Sequence, residues 1–421
     1  WRKFLADVII VGGGPAGMTA ALFAKTQGAR ILLLEHNEKL GKKLYITGKG
    51  SCNVTNLCER EEFLSQVPRN PRFLYAALAF LSPQRLCDWL SSLGCPTVVE
   101  RGRRVFPASR KASDVTRALA AGLKTNEVRY HARVQELFVT DGQIGGVRLE
   151  NNEVIQAGAV VLATGGLSYP STGSTGLGHA MAQLVGHAVS PLLPSLTGFD
   201  TIDEWPKRLQ GLTLKNVKLL ASWGKRSRFE EQGEILFTHF GVSGPLVLSL
   251  SSYLAGQDLS GVQVAIDLKP ALTHEVLQKR LEEEITDHGK RTLGRLLTDY
   301  LPASLAAVYP DVIGLPAGKV LNQLTKLERT GFVEGLKRLP VRLRAHRPFS
   351  EAVITCGGVM VSQVDSSTMG SKLIPGLYFA GELLDVDALT GGYNLQIAFS
   401  TGALAGYSAA SWITSQGMER T

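Results

Sequence analysis

The pattern of hydrophobic and polar positions predicts a strand, a helix and a second strand at the amino-terminal end of the chain. Residues Asp7 to Val11 read DVIIV, a continuous apolar run that is typical of a strand buried in a parallel sheet. Gly12 to Gly17 follow with the spacing G-x-G-x-x-G, and the apolar stretch from Met18 to Gln27 predicts a helix. Arg30 to Leu34 predict the next strand. This alternation indicates an α/β, Rossmann-like fold.

The glycines and the acid after the second strand predict a dinucleotide site. Gly12, Gly14 and Gly17 allow a tight turn in which a pyrophosphate approaches the helix amino terminus. Glu35 lies eighteen residues after Gly17, where a carboxylate binds ribose hydroxyls. A lone G-x-G-x-x-G also marks ordinary strand-to-helix turns, but here strand, turn, helix, strand and acid occur in register. An acid rather than a basic residue favours FAD or NAD, and the position at the amino-terminal end favours FAD by similarity to flavoproteins in general.

A later strand-like run also ends in glycine. Ala159 to Ala163 lead into Thr164, Gly165 and Gly166, which resemble the turn by which many flavoproteins pass the chain beside the cofactor. No second G-x-G-x-x-G follows a strand, so we expect no separate nicotinamide-binding domain. NAD(P)H would therefore reach the flavin only as a transient reductant.

A glycine-rich segment near the carboxyl-terminal end predicts a second part of the cofactor site. A strand precedes Gly381, Glu382 and Asp385, whose carboxylates could hold a ribityl chain. The helix predicted from Gly392 and Tyr393 would direct backbone N–H groups at the flavin N1 and C2 carbonyl, where negative charge collects on reduction. The alternative is a buried, glycine-rich packing helix, and both interpretations can hold.

Composition changes this picture in two respects. The 421 residues include 45 glycines, and 19 of these fall in 59 positions within the glycine-rich segments 12–17, 41–50, 165–178, 357–358 and 376–402. Hydrophobic residues make up 44% of the chain, which predicts a globular protein, and no apolar run approaches the ~18 residues of a membrane span. The five cysteines include no C-x-x-C pair, which indicates a reduced, cytoplasmic protein and argues against a disulfide-exchanging flavoenzyme. No metal site is predicted.

Five longer motifs resemble those of the BaiN-like (YhiN-like) FAD-dependent oxidoreductases. In chain order they are GKKLYITGKGSCNVTN (Gly41 to Asn56), VFPASRKASDV (Val105 to Val115), ATGGLSYPSTGSTGLG (Ala163 to Gly178), LFTHFGVSGP (Leu236 to Pro245), and TCGGVMV with LYFAGELLDVDALTGGYN (within Thr355 to Asn394). The glycine-rich loop of the first motif would by itself fit an ordinary surface loop. One departure is Ser51, where the family commonly has an arginine before Cys-Asn, so a contact by that arginine is not expected here.

The resemblance implies a domain organisation and a set of cofactor contacts. The FAD-binding domain would be split between residues 5–192 and 346–421, with an inserted β-barrel over 193–270 and an inserted helical part over 271–345. Alternating runs such as VKLLASW and VQVAIDL agree with strands in the first insert. FAD would be bound tightly but not covalently by Gly12, Gly14, Pro15, Ala16, Gly17, Glu35, Lys43, Thr47, Gly48, Gly50, Cys52, Asn53, Val134, Ala163, Thr164, Gly165, Gly166, Gly381, Glu382, Asp385, Gly392, Tyr393 and Asn394.

The resemblance implies an oxidoreductase but leaves the substrate open. Members of the family are linked to the reduction of C=C bonds in dienone bile-acid intermediates and in a uridine of large-subunit ribosomal RNA, which gives dihydrouridine, and one relative is described as an amine oxidase. We expect an NAD(P)H-driven uridine reductase, with a small-molecule ene-reductase or amine oxidase as the alternative. A third hypothesis is a flavoprotein with structural FAD that binds a ribosome or another partner.

Two basic segments favour the RNA hypothesis. The chain has a formal net charge of +8, and segment 101–117 holds Arg101, Arg103, Arg104, Arg110, Lys111 and Arg117, while segment 337–347 holds Lys337, Arg338, Arg342, Arg344 and Arg347. Such cations contact phosphates, although a charge run more often forms a solvated surface.

Reduction of a uridine also requires a proton donor. The candidates are Cys52, His239 and Tyr393, with Cys52 placed first. Cys52 could equally be a small packing residue, and His239 could bond only the backbone of its turn.

Overall fold

The computed structural model describes residues 6–225 and 227–416. These residues form two compact units, one made of the described residues up to Ser195 and from Phe349 onward, the other of Leu196–Pro348. No described helix has both the length and the apolar run that crossing a bilayer requires.

The strands are β1 (Val8–Val11), β2 (Ile31–Leu34), β3 (Thr55–Asn56), β4 (Thr97–Glu100), β5 (Arg104–Pro107), β6 (Val128–Arg129), β7 (Val134–Thr140), β8 (Gln143–Leu149), β9 (Val154–Gln156), β10 (Ala159–Leu162), β11 (Leu193–Ser195), β12 (Phe199–Thr201), β13 (Thr213–Trp223), β14 (Ser227–Phe237), β15 (Gly241–Ser243), β16 (Gln263–Asp267), β17 (Leu339–Val341), β18 (Leu343–His346), β19 (Ile354–Cys356) and β20 (Leu377–Phe379). The helices are α1 (Pro15–Thr26), α2 (Arg60–Ser65), α3 (Tyr75–Phe80), α4 (Pro83–Ser92), α5 (Ala112–Ala121), α6 (Leu177–Leu184), α7 (Pro245–Leu254), α8 (His274–His288), α9 (Leu293–Tyr300), α10 (Ala303–Ile313), α11 (Lys326–Lys337) and α12 (Tyr393–Ser415).

A five-stranded parallel sheet of order β20-β10-β1-β2-β6 forms the centre of the first unit. β1 pairs with β10 and β2 in register, so that Val8 lies beside both Ala159 and Ile31. Each residue of β1 is at most 5% exposed, as expected for a β-branched run covered on both faces. The antiparallel sheets β3-β5-β4, β7-β8-β9 and β11-β19 complete this unit.

Helices α1 and α12 pack side by side because glycines remove the side chains between them. A Cβ on Gly402 would overlap the carbonyl oxygen of Ala16, and a Cβ on Gly406 would overlap that of Ala20. Gly402 contacts Ala16, and Gly406, one turn later, contacts Ala20, one turn later on α1, so the two helices run parallel. Gly402 lies nine residues after Tyr393, the first residue of α12, whereas Ala16 lies one residue after Pro15, the first residue of α1, so the two helix starts are about 12 Å apart along the common axis.

The second unit contains a seven-stranded sheet of order β17-β16-β13-β14-β15-β12-β18 and the helices α7 to α11. Its edge strands β17 and β18 are separated in sequence by Arg342 alone, so the sheet has to curl round on itself. β17, and all of β18 except His346, fall within residues 271–345, for which the sequence predicted a helical part. The chain forms strands at the end of this range because alternating residues of Leu339–Val341 bury their side chains against the sheet.

A glycine-to-alanine pair tests the contact between α1 and α12. We expect Gly402→Ala to lower the free energy of unfolding by about 1–3 kcal/mol, because the new methyl group has no space against the α1 backbone. Gly331→Ala on α11 is the matched control, since no atom lies within 4 Å of the place where its Cβ would be, and it should be neutral or stabilising by up to about 1 kcal/mol. Urea unfolding of both variants measures the difference, and equal effects would contradict the packing described.

Candidate functional site

The carboxyl ends of four parallel strands bring the predicted cofactor residues to one edge of the sheet. Gly12 follows β1, Glu35 follows β2, Ala163 follows β10, and Gly381 comes two residues after β20. Because these strands pair in parallel, their following residues lie along the same edge. Ligands of open α/β sheets bind at this edge.

The three glycines of the G-x-G-x-x-G motif lie in different surroundings, so the physical reason for a glycine differs from one position to the next. Gly12 has φ +105° and packs on the carbonyl of Ala163, while a Cβ on Gly17 would overlap the carbonyl oxygen of Gly12. Gly14 has φ −76°, and nothing of the protein lies within 4 Å of where its Cβ would be. Neither backbone conformation nor protein packing therefore requires a glycine at position 14. A glycine here would allow a ligand to approach closely the amino terminus of α1, where Pro15 is the first residue.

Glu35 is held rigidly in the turn after β2. Its Oε2 accepts a 2.7 Å hydrogen bond from the Gly13 N–H, and its Oε1 accepts from the backbone and side-chain nitrogens of Asn37 at 2.7 and 2.9 Å. His36 Nδ1 also lies 3.2 Å from Oε1, whereas Oε2 accepts one hydrogen bond from the described residues, so the capacity to accept from a ribose hydroxyl is on Oε2. Val134, from the predicted set, is a buried residue at the start of β7, close in sequence to Ala132, whose N–H bonds the Glu35 carbonyl.

The loop of residues 41–56 runs between the starts of α1 and α12. At one end the Gly41 N–H donates to the Gly13 carbonyl at 2.8 Å. At the other end, the carbonyl of Thr55 and Oδ1 of Asn53 lie where a Cβ on Gly392 would sit. Between them, the segment Leu44–Gly50 forms a 3₁₀ helix that includes the predicted Thr47, Gly48 and Gly50.

An ion pair in the middle of this span joins distant parts of the chain. Lys43 Nζ lies 2.6 Å from Glu382 Oε2, and Glu382 Oε1 accepts from the Thr355 N–H at 2.8 Å. Thr355 Oγ1 in turn accepts from the Leu167 N–H at 2.7 Å, beside Gly166, whose Cβ would collide with Thr355. These contacts show that Lys43, Gly166 and Glu382, which the sequence predicted as cofactor residues, lie close together around Thr355. Sequence reasoning missed Thr355, although it begins one of the quoted motifs.

The start of α12 is built from two left-handed glycines. Gly391 has φ +133°, and Gly392, the N-cap, has φ +98° and makes no side-chain cap. The side chain of Asn394 bonds backwards, accepting from the Ala388 N–H at 2.8 Å and donating to the Ala388 carbonyl at 2.6 Å. Its amide is thus used to shape the loop, and only its backbone N–H faces the helix end.

Several buried polar groups along this edge have no protein partner. The Oδ1 of Asn53 and the Oγ1 atoms of Thr55 and Thr164 are buried without a hydrogen bond. Asp385 is only half-buried, and its carboxylate interacts electrostatically with Arg69 and Cys356. Buried polar atoms in folded proteins are normally satisfied. These groups, the open space at Gly14 and the stagger of α1 and α12 fit an extended ligand that carries phosphates at one end and a polar ring at the other.

The three candidate proton donors occupy different environments. Cys52 is fully buried at φ +56°, and burial raises the pKa of its thiol to about 12. Tyr393 is 7% exposed, its ring packs edge-on against Phe63 and its hydroxyl bonds the Cys58 thiol, while burial raises its pKa to about 12. His239 belongs to the other compact unit, in the exposed turn between β14 and β15.

The two basic segments differ in how their charges are used. In segment 337–347, four of the five cations make ion pairs: Lys337 with Asp267, Arg338 with Glu334, Arg342 with Asp203 and Arg347 with Asp200. Lys337 is the most internal, since its Nζ also donates to the carbonyls of Lys269 and Leu272. In segment 101–117, Arg101 and Arg104 are exposed and make no ion pair with described residues.

A family model described as HI0933-like protein Rossmann domain matches residues 6–408. The chain belongs to this family. Membership confirms the predicted resemblance and the α/β Rossmann-like fold class, and the protein is an FAD-dependent oxidoreductase. The staggered helix starts and the partnerless polar groups described above fit this cofactor.

Three curated relatives match nearly end to end. The chain is 29% identical to the 3-dehydro-bile acid delta(4,6)-reductase of Clostridium scindens, over 95% of this chain and 98% of the relative. It is 31% identical to the ribosomal RNA dihydrouridine synthase of Escherichia coli, over 94% and 96%. The synthase of the same name from Haemophilus influenzae is 30% identical, over 94% and 96%.

Solved structures support the fold over the whole chain. A quinol-fumarate reductase matches 100% of this chain and 73% of its own with a TM-score of 0.54 and 19% identity. A 3-ketosteroid-delta4-(5alpha)-dehydrogenase from Rhodococcus jostii matches 97% and 98% with a TM-score of 0.51 and 17% identity.

A serine at position 14 tests the space at the start of α1. Serine is a good N-cap residue, so Gly14→Ser should leave the unfolding free energy of the apoprotein unchanged or slightly higher. Its side chain would occupy the space beside the backbone N–H groups, so we expect FAD affinity to fall at least about tenfold, equivalent to about 1.4 kcal/mol. Flavin titration of the apoprotein measures this, and undiminished affinity would show that the space does not receive the cofactor.

Proposed function

We propose that this protein reduces the C5=C6 bond of a uridine in ribosomal RNA to give dihydrouridine, with NAD(P)H as the source of electrons. The observation that carries the substrate assignment is the exposed pair Arg101 and Arg104, which lies in the same compact unit as the cofactor site. Two full-length relatives named as ribosomal RNA dihydrouridine synthases support it. The five cysteines, all free thiols, support a cytoplasmic location.

The reaction sets clear requirements for the protein. When bound, FAD would supply hydride-transfer chemistry between NAD(P)H and C6 of the uracil ring. The product is balanced by one proton delivered to C5, and the protein has to supply or relay that proton. The amino terminus of α12, with Gly391 and Gly392 free of side chains, would provide backbone N–H groups and a positive helix end for the polar edge of the flavin ring.

We propose Tyr393 as the proton donor. It is the first residue of α12, the helix whose amino terminus would face the flavin ring. A tyrosine hydroxyl is protonated at neutral pH, and burial raises the pKa of this one further, to about 12. Cys52, which the sequence placed first, is equally protonated and lies in the same hydrophobic core as Tyr393, but it is 0% exposed whereas Tyr393 is 7% exposed, so the tyrosine is the more accessible of the two. Core packing favours the structural role for this thiol.

A pair of conservative variants separates these two candidates. Tyr393→Phe should lower the rate of C=C reduction by about 10²–10⁴-fold, because positioned acids contribute that much, while reduction of the flavin by NAD(P)H stays unchanged. Cys52→Ala should keep both rates within about threefold. Anaerobic stopped-flow absorbance of the two half-reactions measures them separately. With a pKa of about 12, Tyr393 should cause no loss of rate up to about pH 10, since it deprotonates only above that range. A slow Cys52→Ala variant with a normal Tyr393→Phe variant would reverse the assignment.

The second candidate function is reduction of a dienone in a small steroid-like molecule. The full-length similarity to a bile acid reductase favours it, and in that case the charge of segment 101–117 is incidental.

Reoxidation of the reduced enzyme distinguishes the two functions. We expect uridine-containing rRNA fragments to reoxidise the reduced flavin, and mass spectrometry should show a gain of two mass units at one uridine. A dienone steroid should reoxidise the flavin at least about 100-fold more slowly. An amine donates electrons, so it is added instead to the oxidised enzyme, whose flavin it should not reduce. A cell that lacks the gene should lose one dihydrouridine from its rRNA. Unchanged dihydrouridine content, together with fast turnover of the dienone, would replace the first function by the second.

A further inference from the structure

The turn between β4 and β5 presents two arginines to solvent in an enforced conformation. Gly102 has φ +74° and Arg103 has φ +58°, so the chain passes through two successive left-handed residues. Arg101 and Arg104 flank them, both exposed and both without a carboxylate partner among the described residues. Left-handed backbone is costly for a residue with a side chain, so the surrounding contacts have to hold this turn in place.

Neighbouring side chains supply those contacts. Arg103 makes an ion pair with Glu62, and its backbone carbonyl accepts from the Leu57 N–H at 2.9 Å. The guanidinium group of Arg104 lies 5.9 Å from the centre of the Phe106 ring. The charge of Arg103 is therefore paired within the protein, whereas the charges of Arg101 and Arg104 remain available for a ligand.

One amide side chain ties this turn to the start of α12. Asn56 Nδ2 donates to the Gly102 carbonyl at 3.0 Å and lies 3.5 Å from the Gly391 carbonyl. Asn56 is 4% exposed, and its Oδ1 is buried without a hydrogen-bond partner. The basic turn and the glycine turn before α12 therefore lie on either side of a single side chain. Sequence reasoning placed Asn56 in a motif but gave it no role.

We infer that Arg101 and Arg104 hold the phosphates next to the reacting nucleotide, and that the RNA enters this site as a single strand or with the target base turned out of its helix. The inference rests on the proposed function. A uracil inside a duplex has both faces covered by stacked neighbours, so its C5=C6 bond is accessible to a buried ring only after it leaves the stack. The basic turn is joined to the glycine turn before α12 by the single side chain of Asn56, so phosphates bound by Arg101 and Arg104 would belong to nucleotides close to that base.

The phosphates of NAD(P)H are the other groups that Arg101 and Arg104 could bind. The exposure of the turn favours RNA. Val99, beside the turn at the edge of the β3-β5-β4 sheet, is 57% exposed, so this surface is open to a long polyanion and does not form an enclosed site. RNA binding and flavin reduction, measured on the same variants, separate the two sources.

The test compares Arg101→Gln/Arg104→Gln with the control Arg344→Gln in the flavin-loaded enzyme. Arg344 is the one cation of segment 337–347 for which no partner is described, so the control removes an exposed charge from the other basic segment. Binding of a uridine-containing single-stranded RNA, and of the same strand annealed to its complement, is measured by fluorescence anisotropy over a range of salt. Thermal unfolding and flavin content report folding.

We expect the double variant to bind the single strand at least about tenfold more weakly and the control to bind within about twofold. Loss of two phosphate contacts should make the slope of log affinity against log salt shallower by about 1.4. The wild type should bind the single strand more tightly than the duplex. The rate of flavin reduction by NAD(P)H should not change in either variant.

Three results would overturn the inference. Equal RNA binding by the double variant and the control would exclude these arginines, and tighter binding of the duplex would exclude the single-stranded substrate. A slower flavin reduction with unchanged RNA binding would assign the turn to the nicotinamide nucleotide. If the wild type reduces no uridine at all yet turns over a dienone, the proposed function fails instead, independently of the variants.

Discussion

The direct backbone contact between α1 and α12 is the constraint on which the site depends. Gly402 and Gly406 let α12 lie against the carbonyl oxygens of Ala16 and Ala20, so the two helices share a direction and differ only in where they begin. The start of α1 faces the space at Gly14, and the start of α12 lies about 12 Å from it along the common helix axis. Two positive helix ends are thereby fixed at a set spacing on one unit, which suits a cofactor with charge at the phosphates and at the reduced ring.

The polar groups between the two helix starts explain how the cofactor would stabilise its own site. Lys43, Glu382 and Thr355 already satisfy one another and hold the loop of residues 41–56 to the segment after β10. Asn53 and Thr164 do not have such partners. Each unsatisfied buried group costs about 1–3 kcal/mol, so a ligand that bonds them adds to the stability of the fold as well as gaining affinity.

A run of basic residues in the sequence does not by itself show which cations are free to bind a ligand, because folding pairs some of them with carboxylates. Lys337 belongs to a basic run, yet its side chain is 11% exposed and is enclosed by Asp267 and two carbonyls. Its charge holds the second unit together, because removing one member of a buried ion pair is strongly destabilising. Arg101 and Arg104 stand in a similar run and remain solvated. The difference arises from the carboxylates that folding brings near, which the local sequence does not contain.

Local patterns in the sequence predict the conformation of single segments, whereas the contacts between their groups depend on how the chain packs. The apolar run at Val8–Val11, the glycines after it and Glu35 specify strand, turn, helix and acid, because strand burial, left-handed backbone and helix starts have local signatures. The bonds of Asn56 to two distant turns, the burial of Cys52 and the pairing of β17 and β18 in the seven-stranded sheet each join segments far apart in the chain. Local periodicity sets the conformation of a segment, whereas its partners are set by how distant segments pack, and packing has no signature within any single segment.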